Sequence, residues 1–239
     1  MKTFVRSAVA AGVVVLASSM ASADVIVGWS FPTAFPTGAG NVPTGTSYLP
    51  PGPNGAGVAD SGANFLGSQF ISVHSNAAAT YTSPAGNGSQ YSFSSNNWGI
   101  GDYYQATFST LGFQGVSLSW DQARSSTGPA SFRLRLSLDG GTTFSDLLDY
   151  TVLQSGGGGS PGTWSTSTYN ALYTETFVLG ASVADQASVI VRFEALVAAS
   201  APTGSNRIDN VVFSGTVIPA PGAIALLGVA GLVSRRRRG

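Results

Sequence analysis

Hydrophobic and polar residues alternate along several short segments of this chain. In the clearest, Ser131–Leu138, Phe132 and every second residue after it are apolar, and the residues between them are polar. A period of two predicts a β-strand with one buried face and one solvated face. The turn-forming sequence Asp139-Gly140-Gly141 follows directly, so we expect a hairpin whose return strand begins at Thr142.

Other segments are short and rich in β-branched or aromatic residues, and long helical periodicity is absent between the two ends of the chain. Short strands without alternating helices predict an all-β fold, an antiparallel β-sandwich that is jelly-roll-like, over residues 24–216. In this fold we expect the first and last strands to pair. The predicted strands are Val25–Trp29, Asp102–Ser109, Val116–Trp120, Leu147–Leu153, Tyr173–Leu179, Val189–Leu196 and Ile208–Val217, with one helical turn near Ala181–Gln186.

Two stretches between the strands are predicted to be loops. Phe31–Gly62 consists mostly of Pro, Gly, Thr, Ala and Asn. Proline removes backbone donors and glycine loosens the chain, so we expect a long surface loop after the first strand. Gly156–Gly162 contains four consecutive glycines and is predicted to connect two strands.

Residues 1–23 have the three parts of a secretory signal peptide. The parts are the positive residues Lys2 and Arg6, the apolar stretch Ala8–Ala17, and the small-x-small sequence formed by Ala21 and Ala23. We expect signal peptidase to cleave before Asp24, so that the rest of the chain is exported. A buried first helix is the alternative.

Residues 217–239 contain a proline motif, an apolar segment and a cationic cluster. They are Pro219-Ala220-Pro221-Gly222, Ala223–Val233, and Arg235, Arg236, Arg237 and Arg238. Four adjacent guanidinium groups resist transfer across a bilayer, so we expect them to stay in the cytoplasm while the body lies outside. Counted from Val217, a helix would span about 25 Å of a hydrocarbon core of about 30 Å, which suits a short transmembrane helix acting as a transient anchor. A buried carboxy-terminal helix is the alternative.

This tail resembles the PEP-CTERM sorting signal of exported bacterial proteins, although Ala220 stands where the name-giving glutamate would be. Asp121–Pro129 and Arg207–Gly215 are similar to segments of the β-sandwich proteins that carry this signal, and the second is also similar to carbohydrate-binding jelly rolls. The resemblance implies an exosortase-type membrane protease as a partner and an inner-membrane anchor in transit. It also implies delivery to the cell surface or extracellular matrix of a host that produces exopolysaccharide.

The composition excludes several classes of function. All eleven acidic residues but only five arginines lie between Asp24 and Asp209, with no lysine, so this part carries a net charge of −6. Nucleic-acid binding depends on Lys and Arg and is not expected. The chain has no cysteine, which excludes disulfides, thiolate metal sites and cysteine nucleophiles.

Three arginines are candidates for binding a ligand. Arg124, in a polar loop, could bind a carboxylate or sugar hydroxyls, or it could brace the loop through carbonyl groups or Asp121. Arg133 and Arg135 face the same side of one strand, about 7 Å apart. They could bind an acidic polysaccharide, or they could pair with acids on a neighbouring strand.

Aromatic side chains are the second group of candidates, because exposed rings stack on sugars. Trp164 follows the glycine loop and could be displayed there. Packing in the core or at its rim is the alternative for Trp164 and also for Trp98, Tyr103 and Tyr104. Tyr103 and Tyr104 are adjacent on a predicted strand and point to opposite faces, so we expect one of them in the core.

Metal binding and catalysis have little support. Asp24 and Asp209 are weak candidates for calcium, which needs about six to eight oxygen ligands. His74 is the single histidine, so a His-based zinc site lacks ligands and a Ser-His-acid triad lacks the usual nucleophile elbow. No spacing singles out a pair of carboxylates for glycoside hydrolysis. We therefore expect no metal, no cofactor and no enzymatic activity.

The leading interpretation is an exported surface or matrix protein with a non-catalytic β-sandwich that acts in adhesion or structure. The alternative is a carbohydrate-binding module with a defined glycan site. A glycoside hydrolase or another hydrolase on the same scaffold is the third interpretation. The expected partners are signal peptidase, the exosortase-type protease, the inner membrane and a polysaccharide.

Overall fold

The computed structural model describes residues 23–36, 41–156 and 160–219 of the chain. The apolar part of the predicted signal peptide, the predicted membrane segment and Arg235–Arg238 lie outside these ranges. Pro219, the first residue of the proline motif, is exposed. Among the described residues, no helix has the length and hydrophobicity that a membrane span requires.

The described part of the chain is built from β-strands, with two single-turn 3₁₀ helices at Ala171–Tyr173 and Ala181–Val183. The second of these confirms the predicted helical turn. The strands are β1 (Asp24–Trp29), β2 (Ser47–Tyr48), β3 (Gln69–Val73), β4 (Tyr81–Thr82), β5 (Phe93–Ser95), β6 (Tyr103–Phe108), β7 (Phe113–Arg124), β8 (Ser131–Ser137), β9 (Ser145–Thr151), β10 (Thr174–Val178), β11 (Val189–Ala195) and β12 (Asn206–Val217).

The strands form two antiparallel sheets, which confirms the predicted β-sandwich. In the first sheet the order is β10-β7-β12-β5-β4, and β1 pairs with the part of β12 that β5 leaves free. The second sheet has the order β2-β3-β6-β11-β8-β9. The facing sets β5-β12-β7-β10 and β6-β11-β8-β9 follow the strand order of a jelly roll. The predicted pairing of the first and last strands is confirmed, because Asp24 lies opposite Gly215.

Alternate residues of both sheets point inward and form one aromatic-rich core. Trp29 and Trp120 come from the first sheet and Phe70 and Phe193 from the second, and all four are buried. The Trp29 and Phe70 rings lie 5.6 Å apart, and the Trp120 and Phe193 rings lie 5.4 Å apart. Because burying one large apolar side chain contributes about 1.5–3 kcal/mol, such cross-sheet pairs hold the two layers together.

The hairpin after β8 forms as predicted, but its return strand begins at Ser145 instead of Thr142. Gly140 and Gly141 adopt positive φ values of 72° and 90°. The Asp139 carboxylate accepts hydrogen bonds from the backbone N–H of Thr143 and from the hydroxyl of Ser137. These bonds hold residues 142–144 in the turn and delay the start of β9.

The stretch from Phe31 to Gly62 differs from the predicted surface loop. Phe31 and Phe35 are buried in the core, and β2 lies within the stretch. Trp29 also donates a hydrogen bond of 2.9 Å to the Gly57 carbonyl oxygen. The composition is that of a loop, but transferring its aromatic side chains from water into the core is favourable. The loop therefore packs onto the sandwich.

Candidate functional site

The outer face of the second sheet carries the two arginines predicted on one strand. Arg133 binds both carboxylate oxygens of Asp149, with its Nη2 atom 2.8 Å from Oδ2, and also contacts Asp146 at 2.6 Å. Arg135 donates to Asp146 at 2.9 Å and to Glu194 at 3.0 Å. Both guanidinium groups are therefore engaged by acids of the neighbouring strands, which is the alternative that the sequence left open.

A third arginine of the same face is enclosed between aromatic rings. The Arg192 guanidinium lies 4.1 Å from the centre of the Tyr103 ring and 3.9 Å from that of the Phe144 ring. Its Nε atom donates to Gln105 at 2.7 Å. Tyr103 is thus half-buried on the outer face while Tyr104 is fully buried, as predicted for adjacent residues of one strand.

Arg124 braces the loop that follows β7. Its guanidinium donates to the carbonyl oxygens of Val152, Ser125 and Ser126, each at 3.1 Å. No acid lies within 4.0 Å of it among the described residues, so Asp121 is not its partner. The Nε and Nη1 groups are thus held by the loop, which is the bracing alternative that the sequence left open for Arg124.

Of the two candidate tryptophans, one belongs to the core and one to the rim. Trp98 is only 3% exposed. Trp164 is half-buried, donates a hydrogen bond of 2.6 Å to the Ala85 carbonyl oxygen, and packs edge-on against Tyr173. The centre of its ring lies 5.9 Å from the Arg207 guanidinium carbon. Trp164 therefore lies beside an arginine that was not among the predicted candidates.

A cavity of about 200 Å³ lies on the outer side of the first sheet, next to this arginine. Thr82, Ser94 and Arg207 occupy directly opposed positions on β4, β5 and β12, so their side chains share one face. Phe93 and Ile208, the neighbouring opposed pair, point the other way into the core. The cavity is lined by Thr80, Thr82, Pro84, Ser94, Ser95, Asn96, Thr203, Ser205 and Arg207.

Several hydroxyl groups of this cavity are free to bind a ligand. The side-chain hydroxyls of Thr80, Thr82, Thr203 and Ser205 make no hydrogen bond to any residue that the structure describes. Asn96 uses its Oδ1 atom to accept from the Thr80 backbone and from the Asn97 side chain. The cavity therefore presents a set of small donors and acceptors on a rigid sheet.

Arg207 is the charged group of the cavity. It is half-buried, and its buried Nε atom has no hydrogen-bond partner among the described residues. Within the part of the chain that the structure describes, no carboxylate lies within 4.0 Å of it. Burial lowers the pKa of Arg207, with smaller opposing effects from Tyr104 and Tyr173.

A Ser-His-Asp arrangement does exist in the structure, but it lies in the core. Asp102 is 3.1 Å from His74 Nδ1, and the hydroxyl oxygens of Ser72 and Ser95 are each 3.0 Å from His74 Nε2. All four residues are at most 4% exposed. Burial raises the pKa of Asp102, but hydrogen bonds from His74, Gly99 and Ser75 more than offset this effect and lower the pKa overall. The hydroxyls face the interior, where a substrate has no access.

Two carboxyl groups are also opposed on neighbouring strands. Asp121 of β7 lies opposite Asp209 of β12, and both are at most 1% exposed. The Asn210 side-chain amide donates to Asp121 at 2.8 Å and to Asp209 at 3.4 Å. Ser89 and the Asn87 backbone also donate to Asp209. The segment around residues 87–89 thus covers Asp209, and Asn87 is in turn hydrogen-bonded to Asn170.

The two aspartates predicted as weak calcium candidates are not brought together. Asp24 lies opposite Gly215, six residues beyond Asp209 on β12, which separates the two residues by about 20 Å along the strand at the usual rise per residue. In residues 23–36, 41–156 and 160–219, no group of three or more acidic or histidine side chains is arranged to hold a metal ion. Asp24 is far from Asp209 because β1 pairs with the end of β12 and not with its start.

No family model matches the sequence, and no match is found among curated proteins. Solved structures give weak similarities. The K1 cleaved adhesin domain of Lys-gingipain from Porphyromonas gingivalis W83 matches at 12% identity with a TM-score of 0.46, over 80% of this chain and 98% of that chain. The CBM22-1 xylan-binding domain of Xyn10C from Paenibacillus barcinonensis matches at 9% identity with a TM-score of 0.38, over 84% of this chain and 100% of that chain. A likeness at this level carries no argument about what this chain binds or does.

Proposed function

We propose that the β-sandwich is a non-catalytic module that binds carbohydrate, with its site in the cavity beside β4, β5 and the start of β12. The proposal adopts the alternative interpretation of the sequence, a carbohydrate-binding module with a defined glycan site, and not the leading one, a structural or adhesive role. The observation that carries the proposal is a set of four hydroxyl groups that line the cavity and have no hydrogen-bond partner among the described residues, those of Thr80, Thr82, Thr203 and Ser205.

The chemistry of these groups matches that of a sugar. Sugar hydroxyls both donate and accept hydrogen bonds, and so do the hydroxyls of Thr80, Thr82, Thr203 and Ser205. The volume of about 200 Å³ is below the roughly 300–1,000 Å³ of pockets that enclose drug-sized ligands. A cavity of this size suits one sugar residue of a chain, with the rest of the polysaccharide outside.

The absence of catalysis is part of the proposal. Among the described residues, the His74 cluster and the Asp121–Asp209 pair resemble catalytic machinery, and each is buried. Hydrolysis of a glycoside requires carboxyl groups on both sides of the scissile bond, with room for the sugar between them. The lining of the cavity includes no carboxylate, so a sugar bound there would meet no acid or base.

Export and sorting complete the proposed role. The signal peptide would direct the chain across the inner membrane, and the tail ending in Arg235–Arg238 would anchor it until an exosortase-type protease acts near Pro219. The module would then reach the cell surface or the extracellular matrix, where exopolysaccharide is the available ligand.

The test is a glycan array probed with the full-length protein and with a Thr80→Val, Thr82→Val double variant. These substitutions keep the side-chain shape and remove two hydroxyls of the cavity. Since a hydrogen bond contributes about 0.5–1.5 kcal/mol, we expect the double variant to bind its best glycan roughly tenfold more weakly.

Thr151→Val is the matched control, because Thr151 is exposed on β9 in the other sheet. It should bind like the unmodified protein. The proposal fails if no carbohydrate is bound, or if the double variant and the control bind equally well.

A further inference from the structure

We infer that the cavity selects carbohydrates that carry a carboxylate, the uronic acids, and that Arg207 binds this carboxylate. The inference rests on the proposed function and names the class of sugar for the same site. It follows from a difference between the five arginines of the body: four have hydrogen-bond acceptors within the protein, and Arg207 has none among the described residues.

Four of the five arginines are occupied within the protein. Arg133 and Arg135 are paired with three acids, and Arg124 is bound to three carbonyl oxygens. Arg192 is stacked between two aromatic rings and hydrogen-bonded to Gln105. Each of the four thus already has an acceptor for its Nε atom.

Arg207 differs from the others in every respect that matters for binding an anion. It makes no hydrogen bond to any described residue, and its buried Nε atom is one of two buried side-chain atoms without a partner there. A buried donor without an acceptor is costly, and a guanidinium group forms its strongest bonds as a fork to a carboxylate. The Nη1 and Nη2 groups of Arg207, which also lack a partner among the described residues, could form this fork with a carboxylate in the cavity.

The surroundings of Arg207 fix its orientation and admit negative charge. Its backbone is held between β5 and β7, opposite Ser94 and Ala123, and the Trp164 ring lies beside its guanidinium group. All other residues that line the cavity are uncharged, so no acid repels the incoming carboxylate. The free hydroxyls of the lining would bind the ring hydroxyls of the same sugar.

The charge of the whole body narrows the ligand further. With a net charge of −6, the body repels polyanions at long range, and one free arginine cannot neutralise a dense row of charges. Nucleic acids and heavily sulfated chains depend on many cationic contacts. A single guanidinium in a small cavity matches a single carboxylate on one sugar residue.

The experiment compares each acid with its own neutral form. Binding of the full-length protein in mild detergent is measured by calorimetry for oligosaccharides that each carry a single galacturonate, glucuronate or mannuronate residue, and for the methyl ester of each. We expect at least one acid to bind about tenfold or more tightly than its ester, because only the acid offers a charged acceptor to Arg207. Arg207→Met should abolish this preference, and Arg207→Lys should keep part of it.

Arg133→Met removes the same charge from the other sheet and should leave the preference unchanged. Equal binding of acid and ester, or a preference that survives in Arg207→Met, would overturn the inference and leave the proposed glycan site in place. If neither acids nor esters bind and the glycan array is also blank, the proposed function fails together with the inference. The comparison of acid with ester on the unmodified protein needs no variant, so a poorly folded Arg207→Met does not prevent the test.

Discussion

At the scale of single residues, the buried pair Asp121 and Asp209 shows how the protein handles charge in a covered region. Burial raises the pKa of Asp209 to about 7, although Ser89, Asn87 and Asn210 donate hydrogen bonds to it, and the nearby Asp121 adds to the increase. Asp209 therefore holds a proton over much of the acidic range. The shared Asn210 amide then bridges two carboxyl groups that are not both charged.

This pKa predicts a specific dependence of stability on pH. The folded-state pKa of Asp209 lies above its ordinary value of 3.8, so the folded state binds the extra proton. Its contribution to stability is complete below about pH 4 and is lost as the pH rises to about 7. In the unmodified protein, the free energy of unfolding should therefore fall between about pH 4 and pH 7, by up to about 4 kcal/mol at about 1.4 kcal/mol per pKa unit. Asp209→Asn cannot titrate at this position, so its free energy of unfolding should fall less over the same range.

Denaturant unfolding at several pH values between 4 and 8 measures this difference. Asp24→Asn, at the exposed start of β1, makes the same change in formal charge and serves as the control. Parallel stability profiles for the unmodified protein and Asp209→Asn would show that Asp209 does not take up a proton on folding.

At the scale of elements, β12 connects the core with the candidate site because its buried face changes along its length. Ile208 points into the core, and after it Val211 and Phe213 do so. The interval of three residues interrupts the alternation, and the register with β7 shifts between Asp209 and Val212. Asn210 adopts a φ of 46° at this bulge. Because of the bulge, Ile208 before it and Val211 and Phe213 after it all point into the core, while Arg207 faces outward.

The bulge can be tested by two substitutions of Asn210. Asn210→Gly keeps the positive φ and loses the hydrogen bond to Asp121, so we expect a loss of about 1 kcal/mol of unfolding free energy. Asn210→Val loses the same bond and also forces a β-branched residue into the left-handed region, so the loss should reach about 3 kcal/mol. Urea unfolding measures both. A valine variant as stable as the glycine variant would contradict the strained position.

Eight of the strands are predicted from the sequence, because in them apolar residues alternate or β-branched and aromatic residues cluster, and β3 is missed. β8 and β11 are recognisable because each has about three inward apolar residues. Each predicted strand of the body appears in the structure, but β7 extends the predicted Val116–Trp120 by three residues at its start and four at its end. β5 has three residues, two of them serine, and β4 has two residues. Segments this short are strands because β5 pairs with β12 and β4 pairs with β5. These partners are distant in the sequence or equally short, so the pattern within each segment does not predict a strand.

The candidate site was beyond the reach of the sequence for a similar reason. Arg133 and Arg135 alternate with leucines and attract attention, but the acids that occupy them come from β9 and β11. Arg207 is in the sequence of a closing strand, and its lack of an acidic partner becomes visible only when all neighbouring strands are in place.

At the scale of the whole molecule, the jelly roll separates the candidate site from the point where the tail begins. β1 starts beside the end of β12, so both ends of the sandwich lie at one edge. The cavity lies at the start of β12, ten residues before Val217, or about 30 Å away along the strand. A sandwich held at a membrane by its tail would therefore present the cavity away from the attachment point.

The predicted anchor has its own test in the producing cells. Replacing Arg235–Arg238 by serine removes the charge that resists transfer across the bilayer. We expect the variant to lose membrane retention and processing of the tail, as followed by fractionation and intact mass. Replacing the same residues by lysine keeps the charge and should preserve retention. Unchanged retention of the serine variant would show that the arginines do not serve as the anchor.

The most direct measurement for the account as a whole is a crystal structure of the protein with the glycan that binds most tightly. We expect one sugar residue in the cavity, with its carboxylate within hydrogen-bond distance of Arg207 and its ring hydroxyls hydrogen-bonded to Thr80, Thr82 or Ser205. A glycan bound instead to the Arg133 and Arg135 face of the second sheet would contradict it.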